Sequence, residues 1–304
     1  MILVAGLTPA WQQIVLLDRL RIGEVNRARE VHWCASGKLL NVGLALTQLG
    51  ANVRALSLVG SGAAGVATRQ DMTEQGVDVR WIESIARQRV CTTLLDRESG
   101  QTTEIVENSS PASDAELIAF EAAFAEEAGQ SNVEFVILTG SLPTGTPNDF
   151  FATLLRHNSV PTILDIRGDD LLAALSHRPL VVKPNREELA HTVRRELITD
   201  DEVWQAMSEL NARGAAWVVV TNGAEEVFAS HGGEQLRFSS RRVNVVNPIG
   251  CGDCFTAGLA RSLQLGEEMP TAIRAGIAAA AQNAEQLLPA RLVALSLCDR
   301  TSET

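Results

Sequence analysis

The sequence lacks several features that mark other classes of protein. It has no apolar run near the roughly 20 residues that a membrane-spanning helix needs, so no such helix is predicted. Acidic residues outnumber basic ones by 37 to 26, and the formal net charge of −11 disfavours a nucleic-acid-binding protein. The five cysteines are an odd and scattered set, which disfavours a secreted disulfide framework: Cys34, Cys91, Cys251, Cys254 and Cys298.

Motifs of common active sites are missing as well. No phosphate-binding loop of the GxxxxGKS or GxxxxGKT type occurs, and neither a metal-ligand spacing of histidines nor a Ser–His–Asp arrangement can be argued. Residues 1–7 (MILVAGL) carry no basic leader and are too short for the apolar region of a signal peptide. We therefore expect a cytoplasmic protein with neither a membrane nor a nucleic acid as partner.

The chain does contain an alternation of apolar strands and helical patterns. With 304 residues, 45% hydrophobic and 21% charged, it is long enough for one well-buried α/β domain. Strands that alternate with helices predict a mostly parallel sheet covered by helices on both faces. The predicted strands are 2–7, 53–59, 133–139, 162–166, 180–182 and 217–220, and the predicted helices are 114–127, 149–157, 200–213, 253–265 and 270–287.

Two stretches, about 12–34 and 88–107, interrupt this alternation. Apolar and polar residues alternate in them, and a turn at residues 98–100 (ESG) joins two runs into a hairpin. We expect these short antiparallel strands to form a small lid over one edge of the sheet. Residues 1–304 are thus predicted to form a single domain with a lid.

Residues 247–253 (NPIGCGD) carry the most chemical information. Gly250 and Gly252 flank Cys251, and Asp253 follows at the start of an apolar helical pattern. Backbone amides at a helix start can hold an anion, and a neighbouring carboxylate can take the proton of an attacking hydroxyl. Phosphoryl transfer to an alcohol requires this combination, because the reaction depends on positioning and charge stabilisation.

Two further helix starts suit a phosphate-bearing ligand. Residues 36–42 (SGKLLNV) place Lys38 at a helix start, which either anion binding or a plain helix cap with a solvated lysine explains. In residues 183–188 (KPNREE), Asn185 and Glu188 either cap a helix or hold the waters of a magnesium ion. Residues 140–143 (GSLP) follow a strand at the edge where such sheets bind ligands, although a plain turn explains this segment as well.

Two motifs favour other functions. Residues 60–65 (GSGAAG), with Glu83 downstream, match the dinucleotide fingerprint of NAD-dependent oxidoreductases, although a strand-to-helix turn explains the glycines equally well. Cys251 and Cys254 match the C-x-x-C spacing of thiol–disulfide enzymes, but their neighbours do not fit that context. We interpret Cys251 as a small loop residue and Cys254 as part of the helix packing.

The order of these motifs resembles the PfkB (ribokinase-like) family of sugar kinases over nearly the whole chain. The resemblance is greatest to the branch of fructose-1-phosphate kinases and tagatose-6-phosphate kinases. It rests on residues 23–27 (GEVNR), 36–42, 100–105 (GQTTEI), 140–143, 183–188 and 247–253. It implies a three-layer α/β/α fold with a small β-sheet lid, and a homodimer formed through that lid.

The resemblance also implies a role for each matching residue. Asp253 would be the catalytic base, and the amides of Gly250, Cys251 and Gly252 would stabilise the transferring phosphoryl group. Asn185 and Glu188 would organise magnesium, and ATP would lie near Asn185, Thr221, Gly223 and Asn283. The residues that would hold the sugar and its phosphate are Gln12, Gly37, Lys38, Asn41, Arg89, Ser141 and, in the lid, Arg27.

The chain departs from this branch at several motif positions. Gln12 stands where the branch has a sugar-binding aspartate, and Leu39 stands where it has a glycine. An amide carries no charge and also donates hydrogen bonds, so we expect the preference for sugar hydroxyls to change. Other departures are Pro248, Cys251, Glu226 and residues 288–290 (LPA).

We therefore expect an ATP- and magnesium-dependent kinase that phosphorylates a primary hydroxyl of a ketohexose phosphate, such as fructose 1-phosphate or tagatose 6-phosphate. A kinase of an unphosphorylated sugar or a nucleoside stays open as an alternative, as does a sugar-phosphate-binding homologue with little turnover. An NAD-dependent oxidoreductase is the third alternative. The sequence leaves open whether potassium is also needed.

Overall fold

The computed structural model describes residues 1–292, in which strands and helices mostly alternate along the chain. The strands are β1 (Ile2–Gly6), β2 (Ala10–Leu17), β3 (Glu30–Ser36), β4 (Val53–Ser61), β5 (Val79–Arg87), β6 (Val90–Asp96), β7 (Thr102–Val106), β8 (Phe135–Thr139), β9 (Thr162–Asp165), β10 (Val181–Val182), β11 (Trp217–Val220), β12 (Val227–His231) and β13 (Glu234–Phe238). The helices are α1 (Lys38–Gln48), α2 (Gly62–Glu74), α3 (Asp114–Ala128), α4 (Phe150–Leu155), α5 (Gly168–Ala174), α6 (Arg186–Val193), α7 (Asp200–Ala212), α8 (Cys251–Gln264) and α9 (Met269–Ala284). Cys298 lies outside the described residues.

The central sheet contains nine strands in the order β13-β12-β11-β10-β9-β8-β1-β4-β5. From β11 to β5 all neighbours pair in parallel; Ile2 of β1, for example, lies opposite both Val53 of β4 and Phe135 of β8. The hairpin β12–β13 extends the other edge with antiparallel pairing. The predicted α/β fold class is therefore confirmed, whereas β5 and this hairpin were not predicted.

Helices cover both faces of the sheet. Along β1, Leu3 and Ala5 pack into the core beneath α3–α7, while Ile2 and Val4 pack into the core beneath α1, α2, α8 and α9. Because both faces are buried, the central strands read as continuous apolar runs rather than as alternating patterns. Within residues 1–292, no helix combines the length and the apolar character that crossing a membrane requires.

Close packing between α8 and α9 fixes where α8 begins. A Cβ atom on Gly258 would lie 2.7 Å from the carbonyl oxygen of Ala275, and one on Gly276 would lie 2.9 Å from that of Phe255. The two backbones can approach this closely only because these positions carry no side chain. Since α8 starts with the NPIGCGD segment, this contact sets the position of Asp253 relative to the sheet.

The second sheet has four strands in the order β3-β2-β6-β7. The hairpin β6–β7 closes through the predicted turn, where Gly100 has a φ of 69°. The pairs β2–β3 and β6–β7 are antiparallel as expected, but β2 and β6 pair in parallel. The small sheet is therefore mixed, because its two hairpins lie side by side with their inner strands pointing the same way.

Candidate active site

A cleft lies between the small sheet and the carboxyl ends of the central strands. Gln12, Cys91 and Glu104 line it from the small sheet. Residues on the other wall follow the central strands or begin the helices after them: Lys38, Asn41, Ser141, Glu188 and Asp253. Open α/β sheets bind ligands at this edge, and the small sheet covers it.

Asp253 lies in the first turn of α8 and lines the cleft while being only 7% exposed. Asn41 Nδ2 donates a hydrogen bond of 2.7 Å to its Oδ2 atom. Burial, reinforced by the charge of Asp165, raises the pKa of Asp253 to about 6, although Lys38, Asn41 and Lys183 act in the opposite direction. A carboxylate with a pKa this close to neutrality is suited to accept a proton from a hydroxyl.

The backbone at the start of α8 provides donors beside this carboxylate. Gly250 precedes the helix with a left-handed φ of 84°, which a residue with a side chain rarely adopts. The amide of Cys251 donates a long hydrogen bond of 3.3 Å to the carbonyl of Pro248, so it is less available to an anion. Within the described part of the chain no protein group accepts from the amides of Gly250 and Gly252, so both are available to an anion.

Two buried asparagines hold the loop that leads into α8. Asn247 accepts from the amide of Ile249 at 3.0 Å and donates to the carbonyl of Leu287 at 2.8 Å. Asn283 is fully buried; it donates to the carbonyl of Ile249 at 2.8 Å and accepts from the amide of Ala290 at 2.7 Å. The predicted contact of Asn283 with ATP stays a prediction, and it would require this side chain to exchange its present partners.

A network of buried charges lies under the cleft floor and is centred on Asp165 at the end of β9. Lys38 Nζ lies 3.0 Å from Asp165 Oδ1 and 2.8 Å from Glu188 Oε1. Lys183 Nζ lies 3.5 Å from Asp165 Oδ2, and the hydroxyl of Thr256 donates to the same oxygen at 3.0 Å. Asp165 and Lys183 are 1% and 3% exposed, so the charges meet away from solvent.

The protonation of this network follows from its geometry. Burial favours the neutral form of Asp165, but Lys183 and Lys38 outweigh it and lower the pKa of Asp165. Burial likewise opposes the charge of Lys38, but Asp165, Glu188 and Asp253 outweigh it and raise the pKa of Lys38. Asp165 is therefore a fixed negative charge and Lys38 a fixed positive one, whereas Asp253 titrates at about pH 6. Asp170, which also lines the cleft, has its pKa raised to about 6 as well, by burial and by the charge of Asp169.

Sequence analysis missed three members of this network: Asp165, Lys183 and Thr256. A signal existed for the first two, because Asp165 falls in the predicted strand 162–166 and Lys183 directly follows the predicted strand 180–182. Charged residues at the carboxyl ends of neighbouring parallel strands meet at one edge. Nothing in the sequence indicated Thr256, whose role arises from the helix packing that places α8 over β9.

Asn185 and Glu188 form a reciprocal cap at the start of α6. Asn185 Oδ1 accepts from the amide of Glu188 at 2.7 Å, and Glu188 Oε2 accepts from the amide of Asn185 at 2.9 Å. Residues 1–292 hold no cluster of three or more His, Cys, Asp or Glu side chains placed to bind a metal ion. Glu188 and Asp165 still offer the oxygen donors that suit magnesium, which keeps several waters and needs only one or two carboxylates.

The residues predicted to hold the sugar phosphate line the cleft, except for Arg27. Arg89 donates to the carbonyls of Thr8 at 2.7 Å and Pro9 at 3.1 Å, so its guanidinium group is largely committed to the backbone. Gln12, 3% exposed, donates to the hydroxyl of Thr93 at 2.7 Å. Arg27 is exposed in the loop between β2 and β3 and is not among the residues that line the cleft.

Close packing around the start of α1 limits which residue types fit at positions 37 and 39. Gly37 has a φ of 100°, and a Cβ atom there would lie 2.9 Å from the carbonyl oxygen of Thr8. Leu39 is 2% exposed and belongs to the core beneath α1, α2, α8 and α9. The bulky residue at position 39 therefore fills the core rather than the cleft.

The predicted nucleotide-side residues Thr221 and Gly223 lie beside the α6 cap. Thr221 forms a parallel bridge with Asn185, and its carbonyl accepts from the amide of Arg186 at 2.9 Å. Gly223 follows with a left-handed φ of 58°. The two loops after β10 and β11 are thus held together next to Glu188.

The dinucleotide-like motif has a packing explanation. A Cβ atom on Gly65 would lie 1.8 Å from the carbonyl oxygen of Gly60, and one on Gly60 would lie 2.3 Å from the backbone nitrogen of Gln88. Glu83, expected to bind a ribose in that alternative, pairs with Arg69 at 2.6 Å. These glycines therefore permit the tight passage from β4 to α2.

The cysteines of the C-x-x-C motif are unpaired thiols in the structure. Cys254 is fully buried in the helix packing, and burial raises its pKa well above the ordinary value. Burial also raises the pKa of Cys251. Neither thiol has the depressed pKa that redox enzymes use.

Solved structures of sugar kinases share this architecture. Phosphofructokinase-2 from Escherichia coli, in complex with substrates and products, superposes with a TM-score of 0.87 at 24% identity, covering 96% of this chain and 95% of that one. A possible 1-phosphofructokinase from Thermotoga maritima gives 0.85 at 19% identity, covering 95% and 93%. Ribokinase from Thermotoga maritima gives 0.74 at 19% identity, covering 95% and 94%.

The fold and the cleft define a phosphotransferase with a hydroxyl acceptor. The chain matches the family model described as "pfkB family carbohydrate kinase" over residues 2–291. It belongs to the PfkB family and is a sugar kinase, which implies ATP as donor and a divalent metal ion. The predicted family is therefore confirmed.

We predict that Asp165→Asn destabilises the protein by about 3 kcal/mol, because it leaves the buried ammonium of Lys183 without its counter-ion. The measurement is the free energy of unfolding from urea denaturation. Asp169→Asn is the matched control, since Asp169 pairs with Arg194 at the surface and should change stability by less than about 0.5 kcal/mol. If Asp165→Asn had the same free energy of unfolding as the wild type, the ion pair between Asp165 and Lys183 would not contribute to stability, and the prediction would be wrong.

Proposed function

We propose that the protein is an ATP- and magnesium-dependent kinase that phosphorylates a primary hydroxyl of a ketohexose phosphate. The observation that carries this proposal is the buried Asp253, whose pKa is raised to about 6, beside the uncommitted amides of Gly250 and Gly252 in a covered cleft. This arrangement supports a base and an anion site within reach of one reacting group.

In the proposed reaction, the acceptor hydroxyl lies against Asp253 and gives its proton to the carboxylate as its oxygen attacks the terminal phosphorus of ATP. The bond from that phosphorus to the bridging oxygen breaks as the new bond forms, and ADP leaves with the bonding electron pair. The amides of Gly250 and Gly252 then donate to the oxygens on which negative charge develops. Lys183 supplies a nearby positive charge, since its Nζ atom lies 3.7 Å from the Cβ position of Gly252. Magnesium, held through water by Glu188 and Asn185 when bound, would neutralise phosphate charge.

The small sheet serves this chemistry by limiting access of water to the cleft. Gln12, Cys91 and Glu104 form its inner wall above Asp253. Water would otherwise compete with the sugar hydroxyl for the phosphoryl group. The cytoplasmic location stays a prediction that accords with a substrate pool of ATP and sugar phosphates.

A kinase of an unphosphorylated sugar or nucleoside is the second candidate, and one observation favours it. Both cations expected to bind the sugar's phosphate already have partners within the protein. Lys38 pairs with Asp165 and Glu188, and Arg89 donates to two backbone carbonyls. A substrate phosphate must therefore replace some of these contacts or accept hydrogen bonds in addition to them.

We expect Asp253→Asn to lower kcat by about 100- to 10,000-fold, because the amide cannot accept the hydroxyl proton. In the wild type, kcat/KM should rise with pH around a midpoint of about 6, since the carboxyl group must lose its proton to act as base. Steady-state assays of ADP release between pH 5 and 9 test both points. Asp201→Asn, on the exposed side of α7, is the control; near-normal turnover of Asp253→Asn would rule out the mechanism.

The acceptor class is decided by ADP release across a matched panel. Fructose 1-phosphate and tagatose 6-phosphate should support turnover, and fructose, tagatose and adenosine should support much less. The reason is that an anion can engage the ammonium of Lys38, which is a third exposed toward the cleft. Activity confined to the uncharged compounds would select the second candidate, and binding of a sugar phosphate without ADP release would indicate a homologue that has lost turnover.

We further propose that two copies associate through the outer face of the small sheet. The strand register places Trp33 and Ile105 on one face, because Gln13 pairs with both Trp33 and Thr92, and Thr92 pairs with Ile105. Trp33 is 45% exposed and Ile105 is 58% exposed. Exposed apolar side chains of this kind on the outer face of a sheet are suited to contact with a second copy of the sheet.

For this interface, analytical ultracentrifugation should show a dimer for the wild type and a monomer for Trp33→Glu, since a buried glutamate would disrupt the apolar contact. Ile198→Glu changes an exposed isoleucine between α6 and α7, outside the small sheet, and should leave the dimer intact. Thermal melts establish that each variant is folded. A monomeric wild type, or a dimeric Trp33→Glu variant, would contradict the proposed interface.

A further inference from the structure

The first turn of α1 contacts two parts of the site: the carboxylates of Asp165 and Glu188, and the proposed base Asp253. Lys38 contacts Asp165 and Glu188, and Asn41, one turn further along, donates to Asp253. Asn41 and the carboxylate of Asp165 are buried, whereas the side chain of Lys38 is 34% exposed and lines the cleft. Lys38 is therefore the member of the network that has room to move.

Glu188 has one oxygen for which two cations compete. Its Oε2 atom is used by the α6 cap, where it accepts from the amide of Asn185 at 2.9 Å. Its Oε1 atom accepts from Lys38 at 2.8 Å. A divalent cation that approaches this oxygen, directly or through a water, meets the positive charge of Lys38 within a few ångströms and is repelled.

An anionic acceptor competes with Glu188 and Asp165 for the ammonium group of Lys38. Lys38 lines the cleft together with Ser141 and Arg89, which are also proposed to hold the sugar phosphate. An ammonium group on a flexible stem can turn from two carboxylates toward a phosphate, because it offers three donors without fixed directions. When Lys38 turns away, the Oε1 atom of Glu188 becomes available to a metal ion.

We propose that Lys38 couples the two substrate sites: it occupies Glu188 and Asp165 until an anionic acceptor draws it away, and only then does Glu188 bind the metal–nucleotide well. The proposal rests on the proposed function and extends it to the order of binding. Because coupling between two sites is reciprocal, the metal–nucleotide also strengthens binding of the anionic acceptor. ATP is thereby held loosely while no acceptor is present.

A purely structural lysine is the competing explanation. In that case Lys38 neutralises Asp165 and Glu188 permanently, and its removal weakens the site instead of opening it. The two explanations predict opposite changes in metal affinity when the charge of Lys38 is removed. They also differ in the wild type, where only a mobile Lys38 links the two ligands.

The first experiment measures binding of Mn²⁺ alone by electron paramagnetic resonance, without any acceptor. Lys38→Gln should bind Mn²⁺ at least about tenfold more tightly than the wild type, since Glu188 loses its competing cation. Arg195→Gln removes one positive charge from a partly exposed pair with Glu209, neither of which lines the cleft, and should stay within about twofold of the wild type. Weaker or unchanged binding by a folded Lys38→Gln variant would overturn the proposal.

The second experiment measures binding of Mg–AMP-PNP to the wild type by calorimetry, alone and with fructose, fructose 1-phosphate or tagatose 6-phosphate. A sugar phosphate that binds should tighten nucleotide binding at least about tenfold, and uncharged fructose should not. In Lys38→Gln the nucleotide should bind tightly without the sugar phosphate and gain nothing from it. A wild type that binds a sugar phosphate without any such gain would overturn the coupling, even if Lys38→Gln failed to fold.

The two experiments also separate this proposal from the proposed function. If the wild type binds neither sugar phosphate, the acceptor class is wrong, and the Mn²⁺ measurement still decides whether Lys38 blocks Glu188. If both sugar phosphates bind and are phosphorylated but Mn²⁺ affinity does not respond to Lys38→Gln, the kinase proposal stands and the coupling fails.

Discussion

The contact on which the site depends is the pairing of buried Asp165 with two lysines. A carboxylate that is 1% exposed is costly unless it is paired, and Lys38 and Lys183 supply that pairing from two different elements. The lysines in turn tie α1 and the end of β10 to the end of β9. Burial is the main reason that the pKa of Asp253 is raised; the charge of Asp165 adds to this rise, and Lys38 and Lys183 oppose it. The charges that hold the cleft floor therefore also act on the proposed base.

Backbone packing supplies the other constraint, the position of α8. Gly258 and Gly276 let α8 and α9 approach, and Asn247 and Asn283 hold the loop in front of α8. None of these four residues is charged, and none lines the cleft. They act by fixing the first turn of α8, where a shift of about 1 Å would move the amides and Asp253 relative to any bound phosphate. Both asparagines are buried and hydrogen-bonded through oxygen as well as nitrogen, so a change in the loop would break buried hydrogen bonds.

Periodicity predicted the central strands well and the sheet edges poorly. The strand at Trp217–Val220 has the predicted bounds, because a short apolar run buried on both faces leaves few alternatives. By contrast, β5 lies at one edge of the central sheet and is only half-buried. The hairpin β12–β13 lies at the other edge, and the alternation of strands and helices does not predict it. The parallel pairing of β2 with β6 depends on strands that are 73 residues apart at the closest, from Leu17 to Val90, and such a pairing leaves no local trace.

By itself the sequence determined the class of fold and the family, and it identified several of the residues that line the cleft, because strand–helix alternation and short motifs are local properties of the chain. Only the tertiary structure decided which partners those residues have. By its motif Lys38 could be a phosphate ligand or a solvated lysine, and the folded chain instead places it between Asp165 and Glu188, which are 127 and 150 residues away. Charge pairing and burial depend on distances in space, and the order of residues along the chain does not contain these distances. The pKa of Asp253, the hydrogen-bond partners of Arg89 and the contact between Lys38 and Glu188 therefore could not be predicted from the sequence.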